Sequence, residues 1–578
     1  MLNKSIISLC FVIAFMSHAS DSISLAEAKK VLSKKEYLQY THEVWQKERK
    51  KAVTTNYSEL LLNKSGAILT AGPGADCDFP NILTAINFAA PGNTILVADG
   101  TYTGAEAKLT INKDLSLVGG WSSNCQGNTG NKTKLQLDET GAVVTIDVSG
   151  GKNVTISGFD ISGSQSNNQF LLTSGIHATG DGTVTVRDSR IHNNEAFLGG
   201  GISAINGVTL NISENTEIYS NSATGFGGGI YCNQSTLNII DTKIGRFDNG
   251  IDQGNVTSTE DSFGGGIAVI DCPTVLGDTP IGIGPVEINY NKSDGGSGIY
   301  SENSPINFSV KGSKMSFNES NGLGNNLILG SAIWAQDAIE VNLVDIELSD
   351  NIDGTALMME GNVDLYLNST CSDSPCMQFL RNQTTAIIAR DNTNVIANKI
   401  MFKDNIVFGL ISNQGSGNMT VNNSVISKNQ SRGGALITSS GSGEVNLNHV
   451  SIISNFKENG LGHLFSIFNE GIINVNANVI WGNTSMDLIS ELFPVNIINS
   501  IIQYNPAGYP NTLQTDPLLN NESNGDFHLK FGSPAIDHVN EILFTDDIEG
   551  DSRQDGTTSD AGADEWTDLI FTNDFEDL

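Results

Sequence analysis

An apolar residue followed three positions later by asparagine recurs along the middle of the chain. Four of the intervals between successive asparagines of this series are 26–28 residues, and a small-residue turn followed by a new apolar run comes after each asparagine. Apolar runs this short, separated by turns, predict β-strands rather than amphipathic helices. The pairs are Ile191/Asn194, Ile218/Asn221, Ile288/Asn291, Met315/Asn318, Phe379/Asn382, Ile426/Asn429, Ile452/Asn455 and Ile480/Asn483.

A unit of this length cannot bury its own apolar face, so a series of such units is predicted to stack. Stacking at the strand spacing of about 4.8 Å would place isoleucine on isoleucine and asparagine on asparagine. Each asparagine amide can then hydrogen-bond to its own turn and to the asparagines of neighbouring units. The eight asparagines are therefore predicted to form a structural ladder.

Three glycine triplets stand directly before an isoleucine, where a new apolar run begins. They are Gly199–Gly201, Gly227–Gly229 and Gly264–Gly266. Glycine accepts positive φ angles and allows another backbone to approach closely, so each triplet is predicted to be a corner between two strands. A phosphate-binding loop would require a helix and a lysine after the glycines, and neither follows in the sequence.

Shifts in composition divide the sequence into six segments. The predicted segments are a signal peptide (1–19), a helical leader (20–66), an N-terminal cap with the first coils (67–125), the repeats (126–515), a closing segment (516–566) and an acidic tail (567–578). The signal peptide is indicated by Lys4, an apolar core and a small-residue cleavage site. A membrane anchor is the alternative there, but the apolar run is shorter than the ~20 residues that a spanning helix needs. No transmembrane segment is expected after removal of the signal peptide.

The formal net charge of the chain is −33 at pH 7. A surface this acidic repels nucleic acid and anionic membranes, so neither is an expected partner. An acidic polysaccharide would bind only at a local basic groove or through bridging cations such as Ca²⁺. The placement of the few basic residues is therefore informative about function.

Six cysteines remain after removal of the signal peptide, which contains the seventh. An even number of cysteines in an exported chain favours disulfides. No CxxC spacing is present to indicate a zinc site. The pairs suggested by position along the chain are Cys77 with Cys125, Cys232 with Cys272, and Cys371 with Cys376 as a clip across a short loop.

The segment from Phe79 to Trp121 contains a short predicted helix, the run "TILVADGTY" and two further strand-like runs. It resembles the opening module of pectate-lyase-like right-handed β-helices, in which a helix covers the first coil. The I-x-x-N and G-G-x-I repeat resembles that of polymorphic outer-membrane proteins over residues 190–485. These resemblances imply an all-β fold, a single-stranded right-handed parallel β-helix preceded by the helical leader, and exposure at the cell surface.

Residues 516–566 resemble the terminal segment of secreted bacterial β-helix proteins through "DP", "SPAID" and "DAGADE". His538 departs from the family pattern, which usually has a glycine nearby. Arg553 is the lone lysine or arginine between residues 531 and 578, and it is predicted to bond several carboxylates and to close the last coil. A Ca²⁺ site is the alternative, with Asp547, Asp551 and Asp555 as candidate ligands.

The acidic tail resembles the C-terminal ends of exported proteins of gammaproteobacterial type. A sorting role and a frayed acidic end are the two interpretations of it. Together with the signal peptide, the tail predicts a secreted or cell-surface protein, associated with the outer membrane or extracellular, of a Gram-negative-type bacterium.

The predicted repeats lack the "NTD", "GHG" and "RxK" motifs of β-helix hydrolases. The best lyase-like patch is "TVTVRDSRIHNN", which contains Arg187, Asp188, Arg190 and His192. Residues two apart on a strand share a face, so Arg190 and His192 are predicted to project together, with Asp188 on the same side. Surface decoration with local ion pairs is the alternative interpretation of this patch.

These observations predict an exported, non-catalytic β-helix that presents an extended surface for adhesion or for binding a polysaccharide or cell-surface glycan. The alternative is a polysaccharide lyase or glycoside hydrolase of the pectate-lyase-like superfamily, and a purely structural stalk is a third. No cofactor is expected apart from the Ca²⁺ alternative, and the chain is expected to be a monomer. A basic groove, or aromatic residues aligned on one exposed face, would favour an enzyme or a sugar binder over a stalk.

Overall fold

The structure is a computed structural model. It describes residues 66–166, 173–320, 330–372, 374–460, 462–489, 495–504, 508–553 and 557–566. The predicted signal peptide, the helical leader up to residue 65, the acidic tail and Asp555 lie outside the described residues. Contacts divide the chain into a small unit, residues 1–67 and 88–93, and a large unit, residues 68–87 and 94–578.

The large unit is a parallel β-helix, so the all-β fold class expected from the repeats is confirmed. Within each coil, successive strands belong to a first, a second and a third ladder. A strand pairs in parallel with the equivalent strands of the coils before and after it. Thr183–Arg187, for example, pairs with Asn153–Ser157 on one side and with Thr209–Ser213 on the other.

The strands are grouped here by ladder, in chain order. The first ladder contains Ile68–Ala71, Asn93–Ala98, Leu115–Trp121, Asn153–Ser157, Thr183–Arg187, Thr209–Ser213, Thr236–Ile239, Thr274–Leu276, Ile306–Ser309, Glu340–Val344, Asp364–Asn368, Asn394–Asn398, Met419–Ser427, Glu444–Ile453, Ile472–Asn476 and Asn496–Ile498. The second contains Gly100–Thr103, Thr133–Thr140, Phe159–Gln165, Arg190–His192, Thr216–Tyr219, Thr242–Ile244, Val286–Asn289, Lys314–Ser316, Glu347–Ser349, Gln378–Leu380, Met401–Lys403, the second halves of Met419–Ser427 and Glu444–Ile453, Val479–Trp481 and Ile501–Ile502. The third contains Leu109–Ile111, Val144–Asp147, Ile176–Thr179, Ile202–Ile205, Ile230–Asn233, Ile267–Ile270, Ile299–Glu302, Gly330–Gln336, Ile352–Glu360, Gln383–Ala389, Ile411–Asn413, Ala435–Ser439, Gly462–Ile467 and Met486–Ile489.

Shorter elements complete the coils. Two-residue strands between the second and third ladders are Glu195–Ala196, Ser222–Ala223, Val256–Thr257, Lys292–Ser293, Glu319–Ser320, Ile406–Val407, Gln430–Ser431 and Phe456–Lys457. Two antiparallel hairpins pair Arg246–Asp248 with Ile251–Gln253 and Asp278–Thr279 with Gly282–Ile283. One α-helix, Ile82–Phe88, and two 3₁₀ turns, Gly104–Glu106 and Glu522–Asn524, are described. Among the described residues, no helix has the length and apolar character needed to cross a membrane.

The core consists of inward-facing apolar side chains stacked coil on coil. In the second ladder, Ile191 lies in register with Ile218, and Ile218 with Ile244. All three side chains are inaccessible to solvent. Because side chains alternate along a strand, the residue before each of these isoleucines faces outward. Each second-ladder strand therefore contributes one residue to the core and its neighbour to the outer face.

The asparagines of the repeat form a continuous buried ladder of side-chain amides. Asn194 Nδ2 donates to Asn221 Oδ1 over 3.0 Å, and each later asparagine donates in the same way to the next. Each amide also donates to a backbone carbonyl, as Asn318 Nδ2 does to Ile288 O over 2.9 Å. The ladder consists of Asn194, Asn221, Asn255, Asn291, Asn318, Asn351, Asn382, Asn405, Asn429, Asn455 and Asn483.

Three members of this ladder were not among the predicted eight. Asn351 and Asn405 obey the sequence rule, since Leu348 and Phe402 stand three positions before them. Asn255 does not, because the hairpin Arg246–Gln253 is inserted between the inward Ile244 and the asparagine. The coil that contains Ile244 is thus a regular coil with an insertion.

The glycine triplets form stacked corners before the third ladder. The first glycine of each has a left-handed backbone, with φ of 65° at Gly199 and 69° at Gly227. The second glycine lies against the next coil, and a Cβ on Gly200 would lie 2.5 Å from the carbonyl oxygen of Gly228. Glycine is therefore required at the first position for its positive φ, and at the second because no Cβ would fit.

Three disulfides link the six described cysteines in the pairs that the sequence suggested. They are Cys77–Cys125, Cys232–Cys272 and Cys371–Cys376. The first two close loops of 48 and 40 residues, so each restricts the unfolded chain more than the short clip does.

The closing segment packs along the outer face of the last coils. Its side chains Phe527, Val539 and Ile548 belong to one apolar cluster with Val425 and Val479 of the second ladder. Backbone contacts support this docking, since Gly562 N donates to Ala477 O over 2.8 Å. The segment therefore covers the side of the second ladder, whereas the sequence predicted only that it closes the last coil.

Arg553 lies inside this segment with no solvent-accessible surface. Its guanidinium donates to Glu565 Oε2 over 2.8 Å and to the carbonyl oxygens of Asp560, Gly562 and Ala563 over 2.9–3.2 Å. The expectation that it bonds several carboxylates is wrong among the described residues, because carbonyls take most of its donors. Arg553 thus ties the backbone of the segment together from within.

Candidate binding surface on the second ladder

The outward residues that directly precede the inward apolar residues of the second ladder lie in register and form a row, called here the outward row. Over eight successive coils the charges in this row alternate in sign. Its members are Lys134, Asp160, Arg190, Glu217, Lys243, Glu287, Lys314 and Glu347. Neighbouring strands lie about 4.8 Å apart, so each charge between the two ends of the row faces opposite charges on both sides.

Two pairs in the outward row form direct ion pairs. Arg190 Nε lies 3.1 Å from Glu217 Oε2, and Lys243 Nζ lies 3.3 Å from Glu287 Oε1. Exposed pairs of this kind contribute about 0–1 kcal/mol each, whereas like charges at the same spacing repel. Alternation therefore lets a fully charged row stack on a solvent-facing surface.

An open cleft of about 640 Å³ lies at the N-terminal end of the outward row. Its lining residues are Asp99, Gly100, Thr101, Gly130, Asn131, Lys132, Lys134, Asp160 and Arg190. Three cations and two carboxylates give this lining a positive balance, in a chain whose formal net charge is −33. The cleft is therefore a locally basic surface on an acidic chain.

Asp160 at the edge of the cleft is held in its ionised form. Its Oδ1 lies 2.8 Å from Nε2 of His192, and the other ring nitrogen of His192 lies 2.9 Å from the Asn193 amide. Partial burial tends to raise the pKa of Asp160, but the hydrogen bond to His192 and the charges of Lys134 and Arg190 outweigh it, so the pKa is lowered. Asp160 is therefore a fixed negative charge rather than a proton donor near neutral pH.

The two lysines of the cleft differ in their surroundings. Lys132 Nζ lies 2.7 Å from Asp188 Oδ1 and also donates to the carbonyl oxygen of Asp188. Lys134 is exposed and, within the described part of the chain, forms no ion pair, although its charge acts on Asp160. Lys134 is thus the cation of the cleft that is free to meet a ligand.

The structure separates the four residues of the sequence-predicted patch. Arg190 and His192 project from one second-ladder strand, as their spacing predicted. Arg187 belongs to the preceding first-ladder strand and pairs with Glu214 at 3.0 Å. Asp188 lies at the corner between the strands with φ of 42°, so it does not share the face of Arg190. The corner residue breaks the alternation on which that prediction depended.

Beyond the cleft, His192 continues into a stack of side chains. The ring of Tyr219 lies against His192, with centroids 4.9 Å apart and 9° between the planes. The guanidinium of Arg246 lies over the other side of Tyr219, 3.7 Å from the ring centroid, and also pairs with Glu217 at 2.9 Å. Sequence analysis identified neither partner, because strand register places Tyr219 opposite His192 and the inserted hairpin brings Arg246 over Tyr219.

A second open cleft, of about 610 Å³, opens on the same row at Glu287, Lys314 and Glu347. The loop closed by the Cys371–Cys376 disulfide forms one wall of it. Asp345 beneath this loop is buried and accepts hydrogen bonds from the Ser369 hydroxyl and the Thr370 backbone. Although Asp345 and the two sulfur atoms lie close together, the disulfide removes the thiolates that a metal would need.

Of the predicted Ca²⁺ ligands, Asp547 has its hydrogen-bond partners within the chain. Asp547 is buried, and its carboxylate accepts backbone N–H groups from Glu549, Gly550, Asp551 and Glu565 over 2.8–2.9 Å. Its lone pairs are thereby used within the chain.

Another group of potential ligand atoms in the closing segment consists of His528, Glu549 and Asp564. The two ring nitrogens of His528 lie 2.5 Å from Asp526 and 2.9 Å from Glu549. The hydrogen bond to Glu549 is the main cause that raises the pKa of His528 to about 10, so the ring carries both protons. In this state the imidazole is an ion-pair partner of Asp526 and Glu549.

Comparison with known proteins leaves the chemistry of this surface open. No family model matches the chain, and no curated protein matches it. Among solved structures, pectate lyase Pel9A shares 11% identity over 87% of this chain and 97% of its own, with a TM-score of 0.18. An alginate lyase from Paenibacillus sp. str. FPU-7 shares 9% identity over 74% of this chain and 97% of its own, also with a TM-score of 0.18. Likenesses this distant carry no argument about the activity of this chain.

Proposed function

We propose that this protein binds an acidic, uronate-bearing polysaccharide in the cleft at the N-terminal end of the outward row. The observation that supports this most directly is the cationic lining, with Lys132, Lys134 and Arg190 around one opening of an acidic chain. A carboxylate ligand is repelled by most of such a surface and attracted here. The ligand is thereby directed to one place on the second ladder.

Binding without cleavage fits the state of the side chains in the cleft. Asp160 is engaged with His192, Arg190 with Glu217 and Lys132 with Asp188. A general base must be able to accept a proton from the substrate, and a side chain already held in an ion pair is poorly suited to that role. The uncommitted Lys134 favours the alternative, a lyase, since a lysine can accept the α-proton of a uronate.

Export to an oxidising compartment belongs to the same proposal. The three disulfides are of the kind that persist outside the reducing cytosol. An exported β-helix with a glycan-binding face would act at the cell surface or in the medium, in adhesion or in retention of polysaccharide.

The test is a calorimetric titration of the protein, residues 20–578, with uronic acid trimers. It measures the affinity at low and at high salt. Lys134→Gln is expected to weaken binding about tenfold, the equivalent of one charge-assisted contact. Lys243→Gln is the matched control, because it removes a lysine from the same row outside the cleft, and it should bind as the wild type does. The proposal would be refuted if the Lys134→Gln variant bound the uronic acid trimer as tightly as the wild type does. It would also be refuted if the wild type bound neutral trimers as tightly as acidic ones. Formation of unsaturated products, seen by ultraviolet absorbance and lost in Lys134→Gln, would replace binding by the lyase alternative.

A further inference from the structure

Three aromatic side chains, called here the aromatic strip, lie on the surface beyond the cleft along the second ladder. Phe247 and Phe317 are 57% and 40% exposed, and Tyr290 lies between them, half-buried. The rings of Tyr290 and Phe317 are 4.8 Å apart with 3° between their planes, and Phe247 stacks on Tyr290 at 5.7 Å. The strip thus crosses successive coils at the strand spacing.

The backbone at two of these positions is unfavourable for an aromatic residue. Tyr290 and Phe317 have φ of 62° and 56°, in the left-handed region where bulky side chains are outliers. Both directly precede a ladder asparagine, and most other coils use a small polar or a charged side chain at this corner. Those residues are Asn193, Ser220, Asp350, Arg381, Asp404, Lys428 and Ser454. Since serine or asparagine builds the same corner, the fold does not require the two aromatic rings.

The aromatic strip is linked to the cleft by side-chain contacts that reach Arg246 and by the hairpin backbone from Arg246 to Phe247. Asp160 contacts His192, His192 stacks on Tyr219, and Arg246 lies over Tyr219. Phe247 follows Arg246 directly in the hairpin and is the first ring of the strip. A ligand that leaves the cleft along the second ladder therefore meets the strip without crossing another face.

We propose that the aromatic strip is a second contact for the same polysaccharide, which runs along the stacking direction from the cleft. This inference depends on the proposed function, because the cleft supplies the first contact. The C–H face of a sugar ring packs against aromatic carbon, whereas its carboxylate pairs with the cations of the cleft. Six coil steps separate Lys134 from Lys314, which precedes Phe317 on its strand, or about 29 Å at about 4.8 Å per step.

The experiment compares uronic acid trimers with chains longer than about 30 Å, on the wild type and on the double variant Tyr290→Asn with Phe317→Asn. Asparagine tolerates the left-handed corner, so the variant is expected to fold with an unchanged or higher melting temperature. Engagement of two linked contacts is expected to make the long chain bind the wild type at least about tenfold more tightly than the trimer. The double variant should lose this gain and bind the trimer normally. Phe408→Asn is the matched control, since Phe408 is 69% exposed but lies outside the strip.

The outcomes distinguish this inference from the proposed function. A length-dependent gain that persists in the double variant overturns the inference, as does the absence of any gain in the wild type. In both cases trimer binding that depends on Lys134 would leave the proposed function intact. A third outcome is that the trimer does not bind, while long chains bind the wild type and not the double variant. The strip would then remain a glycan contact, and the proposed binding in the cleft would be refuted.

Discussion

The same register position of the second ladder has opposite chemistry in two regions of the molecule. From Lys134 to Glu347 it carries charges of alternating sign and faces solvent. In the last coils it is occupied by Met401, Val425, Ser451, Val479 and Ile501, which continue the row in register. The closing segment packs on these residues. The internal core therefore does not constrain an outward position of a β-helix. Its residue type depends on whether solvent or another segment of the chain covers it.

The charged side chains of the two regions also differ in their exposure to solvent. Charges of the outward row remain solvated and pair with neighbours one coil away, as Arg190 does with Glu217. One cluster of charges in the closing segment is withdrawn from water, with Arg553 fully buried and Glu565 and Asp560 beside it. Burial raises the pKa of Asp560 to about 6. Solvated pairs contribute little each, whereas a buried group depends strongly on its partners.

The largest effect is expected for Arg553→Met, which keeps the shape of the side chain and removes its charge. Glu565 and three carbonyl oxygens then lose their donor, so the free energy of unfolding should fall by about 3–5 kcal/mol. Urea denaturation followed by circular dichroism measures this. Arg187→Met, in the exposed pair with Glu214, is the control and should lose less than about 1 kcal/mol. Similar losses in the two variants would contradict the contrast between buried and solvated charge.

Val479→Glu places a charge in the covered part of the row and is expected to destabilise the protein by about 3 kcal/mol, since an unpaired polar group is buried there. A substitution of the same kind on the exposed side, Thr101→Glu next to Lys134, should change stability by less than about 0.5 kcal/mol. Limited proteolysis of the closing segment, together with the urea midpoint, reads out both variants. If both substitutions are tolerated equally, the segment does not cover the row in solution.

A smaller effect concerns pH. Burial, together with the charge of Asp560, raises the pKa of Glu565 to about 7 from its ordinary value of 4.5. The folded state therefore binds this proton more tightly than the unfolded state, and the resulting stabilisation is lost as the pH rises from about 4.5 through 7. Glu565→Gln imitates the protonated form, so the variant should lose less stability than the wild type between pH 5 and pH 8. Urea midpoints at the two pH values give the comparison, and equal losses would show that Glu565 is ionised throughout.

The smallest effect is expected for Glu217→Lys in the outward row. The substitution removes the pairs with Arg190 and Arg246 and places a third cation between Arg190 and Lys243. A loss of about 1 kcal/mol is expected at low ionic strength, and it should shrink at high salt because exposed charges are screened. Melting curves in dilute buffer and in 1 M NaCl test this. A loss that is independent of salt would mean that packing, rather than charge, holds this position.

Much of the fold follows from local patterns in the sequence. Repeated pairs such as Ile218 and Asn221 predict stacked coils, because only stacking buries the isoleucine and satisfies the asparagine amide. The glycine triplets predict corners for the same kind of reason, through φ and close backbone approach. Asn255 does not have an apolar ladder residue three positions before it, because a hairpin insertion changes the spacing in sequence without changing the coil.

The candidate surface could be predicted from the sequence only in small part. Arg190 and His192 were identified as neighbours on one strand, but their partners Asp160, Glu217 and Tyr219 come from other coils. Lys132 and Lys134 lie more than 50 residues before Arg190 and enter the same cleft through stacking. In a solenoid, side chains about 27 residues apart become neighbours, and insertions make that distance irregular.

The sequence by itself determined the parallel β-helix, its corners and most of the asparagine ladder, because each of these depends on contacts that repeat with the period of the chain. The disulfide pairs followed from the order of the six cysteines along the chain. Tertiary structure alone decided that the closing segment covers one stretch of the second ladder and leaves another open. It also decided that Lys134, Asp160 and Arg190 line one cleft, and that the rings of Tyr290 and Phe317 stack on each other. The physical reason is that the core does not constrain outward residues, so the chemistry of an outer face is set by whichever distant residues the stacking brings into register.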